Sequence, residues 1–183
     1  MITIRCTRSR GPRGFFCLQV DRRGPVIVDV ITLSMPLNLP AERDFDPHGC
    51  GLDEQCAWRN FGGLPLDAAQ KKFASAPEIY QEDFMFMGPN AFLFYYPVID
   101  NFLRGAISLA DEERGDCQSW ILPQCIGAHF DGANPKLVAQ LKPSVLSLCR
   151  FMLDNLKYFT DDWDDPSEIE KQWVNLQQRL ERC

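Results

Sequence analysis

The chain holds only two histidines, His48 and His129, among its 183 residues, and it carries no Walker, Rossmann or catalytic-triad signature. That scarcity leaves little material for an imidazole-based catalytic or metal centre. Paired C-x-x-C knuckles are absent, as are internal repeats and low-complexity segments. No window approaches the roughly eighteen uninterrupted apolar residues that a membrane-spanning helix needs. The opening Met-Ile-Thr-Ile-Arg-Cys also lacks the charged start and apolar stretch of a secretory signal. These absences predict a cytoplasmic protein with no membrane span, no cofactor and no structural metal.

What is present is an ordinary globular composition, 45% hydrophobic and 24% charged, with enough apolar surface for one domain and one core. The eight cysteines (Cys6, Cys17, Cys50, Cys56, Cys117, Cys125, Cys149, Cys183) would suggest a disulfide scaffold in a short exported chain; without an export signal, reduced thiols are expected. Net charge is −6 and unevenly placed. The first 24 residues carry Arg5, Arg8, Arg10, Arg13, Arg22 and Arg23 against the single acid Asp21, a net +5 that leaves −11 on the remaining 159. An acidic body repels nucleic acid and favours a basic protein partner. The division expected is a basic arm with short β-like stretches over residues 1–40 and an acidic helical domain over 41–183.

Along the arm, residues 2–6, 15–20 and 26–33 favour strands, with Arg-Gly-Pro punctuation between them, and suggest a small β-meander or hairpin. Pro36, Pro40 and Pro47 make 35–50 a connecting segment. Helical spacing then takes over. Residues 53–61 carry Cys56, Trp58 and Phe61 up to Gly62-Gly63; 66–75 form a short amphipathic helix that Pro77 ends. The aromatic run 82–103 is interrupted by Gly88 and Pro89 and continues through Phe92, Tyr95, Tyr96, Ile99, Phe102 and Leu103, with Pro97 expected to kink or divide it. Residues 117–130 predict a buried helix broken near Pro123. Pro143 is expected to open a helix with the stripe Val145, Leu148, Cys149, Met152, Leu153, Leu156 and Phe159. Asp165-Pro166-Ser167-Glu168 starts a last helix burying Ile169, Trp173, Leu176 and Leu180. The fold class is therefore mainly α: one domain of five to six helices around a kinked aromatic helix, with a small N-terminal β element and α+β as the variant.

Candidate chemistry is sparse. His48, Cys50 and Cys56 could combine with Cys117, Cys125 and His129 as zinc ligands, but their spacing is wrong for a structural site, and ordinary thiols are the simpler reading. Cys125 and His129, four apart, could form a thiolate–imidazolium pair, and Glu82-Asp83 could serve acid–base chemistry; a helix start with two acids more often compensates the helix dipole. The sharpest surface feature is Asp161, Asp162, Trp163, Asp164 and Asp165, four carboxylates around an indole. An adhesive patch for a basic partner and a solvated loop with Trp163 packed inward are both open there. The acidic loop Asp111, Glu112, Glu113 is a second partner-facing candidate.

The run ending in Phe92-x-Tyr-Tyr-Pro97, the preceding Trp58…Phe61-Gly62, the Leu141…Leu153 helix and the closing Tyr158…Asp165-Pro166-x-x-Ile169-Glu170…Trp173 resemble a family of small bacterial helical proteins known only as a domain of unknown function. The resemblance covers roughly residues 52–178. Related helical proteins occur beside secreted toxins, so it implies a cytoplasmic immunity protein that neutralises a cognate toxin of the type VI secretion kind. Two other readings stand beside it: a small enzyme using Cys125, His129 or the paired carboxylates, and an adaptor subunit of secretion machinery.

Overall fold

Gly88 and Pro89 split the aromatic run into a short helix and a long one, and the long one becomes the centre of the helical unit. The computed structural model describes residues 38–110, 114, 117–131, 135–160 and 166–183, all within one compact unit that runs from Leu33 to Cys183. In chain order the helices are α1 (Glu42–Phe45), α2 (Leu52–Phe61), α3 (Leu66–Ser75), α4 (Pro77–Tyr80), α5 (Asp83–Phe86), α6 (Pro89–Ala106), α7 (Leu122–Ala128), α8 (Pro135–Asp154) and α9 (Pro166–Arg182), with a 3-10 turn at Leu156–Tyr158. Among the described residues there is no strand, and the protein is mainly helical. The β-favouring stretches and the arginine-rich arm lie outside the described residues.

Five of these helices reach ten residues or more, and they occupy the segments whose apolar spacing predicts them. On α9, Ile169, Trp173, Leu176 and Leu180 are all buried, one per turn, as the stripe requires. α6 buries Phe92, Tyr95, Tyr96, Ile99 and Leu103, and α1, α3 and α8 pack around it. Pro97 does not divide α6, which is continuous from Pro89 to Ala106; it leaves only the Leu93 carbonyl without its usual helical donor. α9 closes the far side against α7 and α8.

Four local expectations need correction. α8 begins at Pro135, eight residues before Pro143, because Pro135 suits a first helical position and 136–142 are mostly strong helix formers whose Leu137 and Leu141 extend the buried stripe. That stripe also stops short of Phe159: α8 ends at Asp154, and Leu156 belongs to the 3-10 turn. Pro123 opens α7 from its first turn, where a missing N–H costs nothing. The connecting segment 35–50 contains α1, whose Phe45 is fully buried against Trp58 and Tyr95. Asp44 holds this turn by accepting from the Ala41 N–H at 2.9 Å and from Asn90 of α6 at 3.1 Å.

Two glycines are explained by contact and conformation. The Gly88 N–H donates to the Phe45 carbonyl at 2.8 Å, and a Cβ at Gly88 would lie 2.3 Å from the Asp44 carbonyl oxygen. Gly63, with φ +74°, supplies the left-handed residue just beyond α2; Gly62 is extended, but a Cβ there would strike the Trp58 ring.

The end of α2 is satisfied from inside the core. The Tyr95 hydroxyl shares its proton between the carbonyl of Phe61 (2.7 Å), which also accepts the Leu64 N–H at 3.1 Å, and that of Leu64 (2.8 Å). Burial pushes the phenol up to about 12, so it remains a donor at every accessible pH. Tyr95→Phe is expected to lower stability by about 1–3 kcal/mol, the usual loss for leaving a buried acceptor, here the Leu64 carbonyl, without its donor; a urea titration showing no change would mean that this carbonyl finds another donor.

Candidate functional site

Cys125 and His129, the pair with the most chemical potential in the sequence, do fall on adjacent turns: Cys125 inside α7 and His129 as its C-terminal cap. Their environments oppose reactivity. Cys125 is fully buried, and burial, with a smaller contribution from Glu82, pushes its thiol up to about 12. The His129 ring lies flat on Phe92, with centroids 3.6 Å apart and planes 10° from parallel. Its Nε2 sits 2.6 Å from the Phe84 carbonyl, which can only accept, so Nε2 carries the proton and donates. Burial pulls the imidazole down to about 4, and the Phe84 carbonyl offsets only part of that. At neutral pH the arrangement is a protonated thiol beside a neutral imidazole, whereas a cysteine nucleophile requires the thiolate. His129 serves instead as a tie between α7 and the α5–α6 region.

The paired carboxylates are separated by their surroundings. Glu82 is exposed, while Asp83 is buried and accepts from Asn60 Nδ2 of α2 at 2.8 Å. Burial raises the Asp83 carboxyl, against the Asn60 hydrogen bond and the charge of Lys72. Asp83 thus joins α5 to α2. Asp46 shows the opposite balance: burial raises it, but N–H groups of the following turn, Gly49 at 2.7 Å and Gly51 at 3.2 Å among them, hold it below the usual carboxylate range.

The sequence-level zinc set is not assembled. Cys50 and Cys56 are exposed, Cys117 and Cys125 are buried, and His129 is occupied by Phe84 and Phe92. Among the described residues no group of three or more His, Cys, Asp and Glu is placed to hold a metal ion. Five thiols, Cys50, Cys56, Cys125, Cys149 and Cys183, are free. Among the described residues no helix is long and apolar enough to cross a membrane. Both acidic partner-facing candidates, Asp111, Glu112, Glu113 and Asp161, Asp162, Trp163, Asp164, lie outside the described residues, as does Asp165.

Two features escape a reading by periodicity. Gln118 has φ +55°, a left-handed conformation in a non-glycine residue, in the turn where Ser119 Oγ donates to the Phe159 carbonyl at 3.1 Å and Trp173 Nε1 donates to the Ser119 carbonyl at 2.9 Å. The next residue, Trp120, is 47% exposed. The second is a groove of about 510 Å³ where the last turn of α6, with Phe102, Gly105 and Ala106, faces Ala74 of α3 and Glu78 of α4. In the sequence the only trace of it is a helical stripe that changes at Gly105 from bulky to small.

No protein-family model, no curated protein and no solved structure matches the chain.

Proposed function

We propose that this chain is a non-enzymatic binding protein of the immunity type, an acidic inhibitor that neutralises a basic toxin by covering an essential surface. The observation that carries this reading is the commitment of Cys125, His129 and Asp83 to the fold: a thiol pushed up to about 12, an imidazole pulled down to about 4, and a carboxyl engaged by Asn60. With these residues spent on packing, the remaining property of note is a net charge of −6, which favours association with a cationic partner. The resemblance of residues 52–178 to a helical family of unknown function, relatives of which occur beside secreted toxins, points in the same direction. Tagged chain recovered from its native host at low salt should bring down one basic protein at about 1:1, identifiable by mass spectrometry. That protein should be toxic alone and harmless when co-expressed with this chain. Recovery of no stoichiometric partner would sink the proposal.

The acidic segments give the interaction an electrostatic signature. Association should slow as salt rises while dissociation changes less, and reversing Asp161, Asp162 and Asp164 to Lys should reduce the on-rate. Trp163→Ala should weaken binding by about 2 kcal/mol, roughly thirtyfold, if the indole anchors the contact. Lost thermal stability with unchanged affinity would assign Trp163 to the core.

A further inference from the structure

We draw no further inference here: the strongest candidate, the polar cavity of about 570 Å³ between α7 and α9 lined by Gln124, Asp131, Gln172, Asn175, Arg179 and Arg182, has Arg179 already paired with Asp131 and both arginines in the last turn of α9, where they offset the negative end of that helix, so nothing in the structure shows what it would hold.

Discussion

Trp173→Ala is expected to lower stability by about 5 kcal/mol, the largest effect of any single substitution considered. Truncating a buried tryptophan costs about 3–5 kcal/mol in lost transfer energy and cavity formation. Trp173 is fully buried on α9, and its indole N–H is the donor to the Ser119 carbonyl at 2.9 Å. Removing it leaves a buried acceptor unsatisfied, adding about 1–3 kcal/mol. Against a total of about 5–15 kcal/mol for a typical domain, that is a third or more of the stability. Trp173→Phe isolates the polar part: most ring packing survives, and the loss should fall to about 1–3 kcal/mol. Urea midpoints for the two variants separate the contributions, and an alanine variant within 2 kcal/mol of wild type would contradict the packing of α9.

The second large effect is acid destabilisation through His129. Its folded pKa, about 4, lies below the ordinary 6.5, so the unfolded chain takes up the proton first as pH falls. The stability that the neutral ring contributes is complete above pH 6.5 and is lost on the way down through pH 4, by at most about 3 kcal/mol. Other titrating groups in the fold contribute to the net profile. Asp83 and Asp100, raised chiefly by burial, act with the opposite sign and regain stability on protonation, whereas Asp46, held low by backbone donors, acts with the same sign at lower pH. The measurement is therefore a difference. His129→Gln keeps an N–H for the Phe84 carbonyl and cannot titrate, so its stability deficit relative to wild type should shrink by about 3 kcal/mol between pH 7 and pH 4. A deficit independent of pH would show that the ring is protonated as easily in the folded chain as in the unfolded one.

Periodicity made the long helices legible because each has one buried stripe: 66–75 is bounded by Pro65 and Pro77 and forms as its spacing requires, and α9 buries its four predicted residues. Prolines were the weak point. Pro123 and Pro143 have the same local chemistry in sequence, yet one lies in a first turn and the other inside a helix, and what distinguishes them is packing upstream: Leu137 and Leu141 find the core before Pro143 is reached. α1 was hidden because a four-residue helix has no period, and its one core residue, Phe45, is recognised only through Trp58 and Tyr95. For the candidate site, the i, i+4 spacing of Cys125 and His129 was readable, but their protonation states were not. Those depend on burial, for Cys125 with a smaller contribution from Glu82, and for His129 among Phe84 and Phe92, 45 and 37 positions away in the chain. The groove was the least legible element, since nothing local to Gly105 tells an open floor from a close packing contact.

Gly88 and Gly105 then stand under different selective regimes. At position 88 a side chain collides with the backbone of Asp44, so any replacement is eliminated by misfolding before activity comes into question. At position 105 a Cβ meets no atom of the described residues within 4 Å, so among them nothing in the fold opposes a replacement. Within one lineage the first glycine should persist as long as the fold does, while the second should vary without cost to the packing of the described residues.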